Sequence, residues 1–569
     1  MANVASILFI IWFFCIPLFW HFDLAKGTLG FYDTFAMAPN AIFHLIIFYI
    51  LALLSIYFDK FSLYHMLLFG LYFPFIQLAN YPYLTIRDVY LHAGPAKMIL
   101  INGELGGLTN SVAKSWPGSY LLHSILAIVS GFDLINANYV LYLFLIIALV
   151  LILFSLTRTL KRKDYMLAWA STLLFLCLFF NYNFSNFTHY TRNALAFTFL
   201  FLFLFCFMRF TDRYGFVLQL FMVISINITH PFQSIALAAF LLISLVFSGR
   251  DKRATFPIFS LVAFLGIVQF YAYSSLLIAI SNVRARFSLE AIKPIVSSLS
   301  QAKILPWWGS ILRNYYRYSL VGLFAIALFA TILLLLQKRR PTAITKGLSS
   351  ILFSAIVMLF TLNLLPDWQI GYFVLFAAFP AAFSSFILLE ELSKKGKLKK
   401  LHRIFTVKST VVVLLLFIVS LSGTVMVSNF EKNYYLGEVC HPSELSSLSF
   451  FFNYDMNSTV SILSWRTAMY TAYFDYNASH RTLYLWYLQL NEFASNSSKI
   501  LFSQSQLINQ SQFVIRGMRD SFTLSSSGNY PIDTVEVVLE TIDENMIIPQ
   551  FDQMYSNGYY SIYKRVISP

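Results

Sequence analysis

Residues 139–156 read YVLYLFLIIALVLILFSL, eighteen consecutive positions without a charge. At 1.5 Å per residue, a helix of that length reaches about 27 Å, close to the hydrocarbon thickness of a bilayer. Only a helix or a closed barrel satisfies backbone polar groups where water is absent, and a single uninterrupted apolar run specifies the helix. A second such run, STVVVLLLFIVSLSGTVMV, occupies residues 409–427.

Working outward from these two, apolar segments predict thirteen spans, at about 5–20, 40–57, 62–78, 137–156, 165–181, 194–209, 215–228, 232–248, 255–277, 319–336, 348–365, 370–390 and 409–428. The composition requires something of this kind. Of 569 residues 58% are hydrophobic and 12% charged, against roughly 25% charged in a soluble domain. The expected fold is therefore a polytopic α-helical membrane protein.

The net charge of +14 raises nucleic acid as a partner, and the placement of the basic residues removes it. They fall in short clusters between apolar runs: Arg158 with Lys161, Arg162 and Lys163; Arg209 and Arg213; Arg250, Lys252 and Arg253; Lys338, Arg339 and Arg340; and KKGKLKKLHR from Lys394. Each cluster joins helices on the same side, which the positive-inside rule makes cytoplasmic. The N-terminus is then cytoplasmic, and the protein is a multi-pass cell-membrane protein. Loops of about 79–136 and 278–318, and the tail 429–569, face outward. The first run, ILFIIWFFCIPLFW, lacks a charged leader and a small-residue cleavage site and reads as a retained helix. Cys15, Cys177 and Cys206 sit in apolar runs and Cys440 stands alone in the tail, so no disulfide framework is expected within the tail.

The tail turns rich in Ser, Asn and Tyr, and its alternating segments TVEVVLE (534–540) and YYSIYKRV (559–566) predict strands of a mixed α/β extracytoplasmic domain. Its acceptor triplets at Asn457, Asn477, Asn496 and Asn509 fit an outer-face location. Within the first large loop, YLLHSILAIVSGF from Tyr120 is too short to span and predicts an interfacial or re-entrant helix.

That loop, from Asn80 on, gathers Arg87, Asp88, His92, Lys97, Glu104 and Lys114 directly beyond a membrane helix. Helical spacing puts His92 one turn after Asp88 on a shared face. A carboxylate beside a histidine there can act as general base and orienter, or as two ligands of a divalent metal. The plainer alternative is that Asp88 caps the helix and pairs with Arg87 or Lys97.

An outer loop carrying Asp88, then Tyr90 and His92, a Gly-rich turn, Trp116-Pro117-Gly118 and a re-entrant helix resembles the first outer loop of the GT-C superfamily. These are integral membrane glycosyltransferases that use polyprenyl-phosphate-linked sugars. The stretches THYTRNALAF at Thr188 and INITHPFQSIALAAFLL at Ile226 add to the resemblance, because GT-C proteins often carry a His-Pro step, here His230-Pro231, at the outer end of a short helix. The likeness covers roughly residues 61–242. It implies a GT-C-like architecture, with Asp88 as the catalytic residue. The single acidic residue, where many members carry Asp-x-Asp or Asp-Glu, leaves a divalent metal possible without a full ligand set. The tail has no WWDYG-type motif, which argues against oligosaccharyltransferase activity.

A lipid-phosphate donor needs cations at the outer boundary to hold its phosphate and stabilise the departing one. Candidates are Arg192 and His230, with Arg284 and Arg286 in the second large loop near Arg313, Arg317, Trp307 and Trp308. Snorkelling to headgroups is the ordinary role of such arginines. His189 and His230, each beside an outer helix end, could hold a phosphate or a metal, or merely satisfy carbonyls freed by Pro231. Asp367 and Trp368 could face the same site or form a simple turn.

The leading expectation is transfer of a sugar from a polyprenyl-phosphate-linked donor to a protein, lipid or glycan acceptor on the outer face, with Asp88 and His92 in catalysis. The alternative is a transporter or flippase of lipid-linked glycans, which should place ionisable residues at mid-membrane depth. A non-catalytic membrane anchor for the tail ranks last, because thirteen helices exceed what anchoring requires.

Overall fold

The computed structural model describes residues 2–26, 47–55 apart from 49 and 53, 62–80, 87–105, 116–160, 190–209, 213–247 and 252–272. In the tail it describes 448–451, 459–462, 481–484, 512–517, 547, 551–556 and 560–566. The described chain is mostly helical. Its helices are α1 (Ala2–Lys26), α2 (Leu63–Asn80), α3 (Arg87–Asn102), α4 (Gly118–Ser130), α5 (Leu134–Leu160), α6 (Arg192–Arg209), α7 (Arg213–Thr229), α8 (Pro231–Phe247) and α9 (Lys252–Ala272). Among the described residues, one stretch, Leu134–Ser155 within α5, is both long and apolar enough to cross a membrane. The expected spans at 165–181 and from 319 onward lie outside the described residues.

The helix boundaries have local causes. Asp133 caps α5 by accepting the Asn136 backbone N–H (2.8 Å) and side-chain amide (2.6 Å), and its charge suits a helix N-terminus. Helix α4 stops at Gly131, whose φ of 70° carries the chain into the left-handed region while its N–H donates to the Ala127 carbonyl. Pro231 opens α8 at the position where a missing N–H costs nothing.

Two helices of the first loop are parallel. His92 meets Tyr120, and the Ser124 hydroxyl donates to the Ala96 carbonyl (2.8 Å); both pairs are 28 residues apart. A constant offset means that α3 and α4 run in the same direction. Their contact is closed by Ala96, Ile99, Tyr120 and Ala127, joined by Leu134 and Ala137 of α5.

Several helices bury polar residues and expose apolar ones. On α4 the buried face is Ser119, Tyr120, His123, Ser124 and Ala127, with His123 2% exposed, while Val129 is 79% exposed and Ile125 and Ile128 lie open beside it. Helix α7 buries Gln219, Ser225, Asn227 and Thr229 and exposes Val217, Phe221, Ile224 and Ile228. The hydroxyls and amide along α7 turn back on the helix, Ser225 to Phe221, Asn227 to Val223 and Thr229 to Ser225. In water this arrangement reverses the usual pattern of a surface helix.

In the tail, β1 (Thr459–Ile462), β2 (Arg481–Tyr484), β3 (Phe513–Gly517), β4 (Phe551–Ser556) and β5 (Tyr560–Arg565) form one mixed sheet in the order β2-β1-β3-β5-β4. Strand β1 pairs in parallel with β2 and β3, whereas β5 is antiparallel to β3 and β4. The expected strand at 559–566 is β5; the one expected at 534–540 lies outside the described residues. Phe451, from the short helical stretch at 448–451, meets the Phe513 ring edge-on at 5.2 Å.

Candidate functional site

The site grows from one clamped residue. Tyr190 precedes α6, and Asn138 of α5 holds it from both sides of its peptide. The Asn138 carboxamide accepts the Tyr190 N–H and donates to the Tyr190 carbonyl, each at 3.1 Å. Thus clamped, Tyr190 donates from its hydroxyl to the Ser119 carbonyl (2.8 Å) and stands edge-on to the His123 ring at 5.6 Å. His123 in turn donates from Nε2 to the Leu134 carbonyl (2.8 Å). Burial pushes the His123 imidazole down to about 4, the carbonyl contact opposing it, so it is neutral at pH 7.

The other side of α4 lies against α7. A Cβ built on Gly118 would stand 2.9 Å from the Thr229 hydroxyl and 3.1 Å from the Ile228 carbonyl oxygen. Only glycine permits that approach, and it brings the start of α4 beside the His230 junction between α7 and α8. Three helix N-termini therefore meet here: α4 at Gly118, α6 at Arg192 and α8 at Pro231.

His230 is the hub. It is 1% exposed, and burial holds its ring well below the usual histidine range. The Arg192 guanidinium and His92 push it further down, while the Gln233 amide acts in the other direction. His92, itself 8% exposed, has Nδ1 3.2 Å from the Tyr120 hydroxyl, with the two rings stacked at 6.0 Å. On α3, five residues beyond His92, burial lowers the Lys97 ammonium below its ordinary range.

Arg192 is out of place by ordinary electrostatics. A cation at the first position of a helix opposes the helix dipole, and its Nε and Nη1 are buried without a hydrogen-bond partner among the described residues. The acidic residues whose side chains are described, Glu104 and Asp133, are both exposed.

Of the residues singled out in the sequence, the structure brings His92, Arg192 and His230 together. Asp88 is the second residue of α3, four positions before His92; its side chain lies outside the described residues, as do Arg284, Arg286, His189, Asp367 and Trp368 entirely. Among the described residues no three His, Cys, Asp or Glu side chains are grouped as a metal would need. The sequence reading missed Ser119, Tyr120, Asn138, Tyr190 and Gln233. Uncharged polar residues in apolar helices have no spacing that separates a site from a packing contact; the only available signal was their position at helix starts.

Comparison with known protein families and with curated proteins finds no match to this chain.

Proposed function

We propose that this chain is a GT-C-like membrane glycosyltransferase that moves a sugar from a polyprenyl-phosphate-linked donor to a protein, lipid or glycan acceptor on the outer face. The proposal includes the thirteen-span topology, a cytoplasmic N-terminus, a transmembrane unit over 1–428 and an outward tail over 429–569.

The observation that carries it is the meeting of Arg192, His230 and His92 where helix ends converge. A cation held against a helix dipole, beside a histidine kept neutral, suits an anionic ligand that arrives from outside the protein. The inverted burial of α4 and α7 supports a lipid surround, since apolar side chains facing outward and polar ones inward suit hydrocarbon.

In this reading Arg192 and His230 hold the donor phosphate, with Arg284 and Arg286 assigned to the same task. Asp88 takes the proton of the acceptor hydroxyl, and His92, oriented by Tyr120, steadies it. A divalent metal would need ligands beyond Asp88 and His92.

The test is transfer of label from polyprenyl-phosphate sugars to an acceptor fraction in membranes containing the protein, comparing Asp88→Asn and Asp88→Ala. Loss of transfer in both at normal protein levels is expected, because positioned general-base catalysis contributes about 10²- to 10⁴-fold. Full transfer by Asp88→Asn would leave Asp88 as a cap only and end the catalytic assignment.

A further inference from the structure

The start of α4 lies at this site without a side-chain cap. The residue before it is Pro117, in helical geometry and without a side-chain capping bond. The first amides of α4, from Gly118 to Tyr120, precede the first intrahelical acceptor, since the Leu121 N–H is the one that reaches the Pro117 carbonyl (2.9 Å). The Ser119 hydroxyl, on a residue 1% exposed, has no partner among the described residues.

Gln233 presents the same deficit from the opposite side. It is 1% exposed in the first turn of α8. Its amide contacts the His230 ring, and its nitrogen, which carries the donors, has no partner among the described residues. With Arg192, half-buried as a residue but with Nε and Nη1 enclosed, this makes three polar side chains on three helix N-termini whose buried donors have no partner among the described residues. Burying a polar group without a partner is costly, and three such groups converging by accident of packing would be a heavy burden on a fold.

Their donors and fields have one sign. Each helix N-terminus is equivalent to about half a positive charge, and the Arg192 guanidinium adds a full one. His230, held neutral by burial, adds none. A ligand matching this field carries more than one negative charge and several acceptor oxygens. A phosphate monoester, with about two charges at neutral pH, does both; a phosphodiester carries only one charge.

We propose that Ser119, Arg192, Gln233 and the N-termini of α4, α6 and α8 form a binding site for a phosphate monoester dianion. The inference deepens the functional reading and rests on its assignment of Arg192 to an anionic ligand. It places the strongest binding on the departing lipid phosphate, after the sugar has left, and not on the intact donor diester.

The full chain in lipid nanodiscs is titrated with farnesyl phosphate, with its methyl diester and with inorganic phosphate, followed by phosphorus NMR and calorimetry. Farnesyl phosphate is expected to bind at least about tenfold more tightly than the diester. Ser119→Ala should weaken the monoester about tenfold, the loss of one hydrogen bond to a charged group. Gln233→Glu, nearly isosteric, should weaken it further by repulsion. Thermal unfolding of each variant confirms that it is folded.

Tight binding of inorganic phosphate as well supports the site and names the bare phosphate as sufficient; binding of farnesyl phosphate alone supports it and names the lipid headgroup. Equal affinity for monoester and diester, or monoester binding unchanged in both folded variants, overturns the proposal, with water then filling the unused donors. Asp88→Asn separates the two readings: lost transfer with retained phosphate binding supports both, whereas a protein that binds the monoester yet never transfers sugar retains the site and loses the enzyme.

Discussion

Gly118→Ala tests the closest approach in the site. The added methyl would sit 2.9 Å from the Thr229 hydroxyl oxygen, 3.1 Å from Ile228 Cγ1 and 3.1 Å from the Ile228 carbonyl oxygen. Comfortable contact for a Cβ begins near 3.4 Å in all three directions, so α4 must withdraw by about 0.3–0.5 Å, the scale at which overpacking costs about 1–3 kcal/mol. Neither oxygen yields easily. The Thr229 hydroxyl is engaged with the Ser225 carbonyl, and the Ile228 oxygen is backbone. Alanine's better helix propensity returns at most about 1 kcal/mol in a helix interior and less at a first helical position, leaving a net loss of up to about 2 kcal/mol. Thermal unfolding in detergent should show a midpoint lower by a few degrees, and Ser119, carried on the displaced turn, should move away from His230. The double variant with Thr229→Ala removes one of the two fixed oxygens and should recover about half the loss, giving a coupling above about 0.5 kcal/mol in the cycle. A Gly118→Ala protein as stable as the parent, or strictly additive effects, would refute the claim that this contact sets the spacing of α4 and α7.

Acid should unfold the protein partly through His123. Its folded value of about 4 against 6.5 for the free side chain means the unfolded chain binds the proton first. Stability is then complete above about pH 6.5 and declines by about 3 kcal/mol as pH falls toward 4; His123→Gln, which can still donate to Leu134, should flatten that part of a stability–pH profile. Asn138→Ala leaves the Tyr190 peptide without either of its bonds and should cost about 1–3 kcal/mol per stranded group; an unchanged melting temperature would show that the clamp is dispensable. For the topology, an impermeant thiol reagent applied to intact cells should label both Ser111→Cys and Ser525→Cys, and labelling of one alone would mean that an odd number of spans has been miscounted.

The legible part of this protein is what depends on composition along a single run. Helix α5 follows from its uncharged stretch, and α4 from thirteen residues too few to span. His92, Arg192 and His230 could be named because charged or ionisable residues are conspicuous in so apolar a chain. Their meeting depends on packing that no run encodes: the glycine contact at Gly118, the parallel course of α3 and α4, and the Asn138 grip on Tyr190. Periodicity was uninformative on α4 for a definite reason. Its apolar face is turned outward and its polar face inward, so the stripe that marks a core in water marks the opposite side here.

That inversion bears on how such a chain tolerates change over time. In the proposed membrane setting the outward positions of α4 and α7 would ask only for hydrocarbon, and Val, Ile, Leu and Phe would be nearly interchangeable against a fluid that has no shape. Inward residues such as His123, Ser124, Ser225 and Asn227 each meet a particular carbonyl. Descendants of this sequence can therefore lose identity at most positions of these helices while keeping a thin polar thread, from His123 and Ser124 on α4 to Ser225 and Asn227 on α7, by which their kinship would still be read.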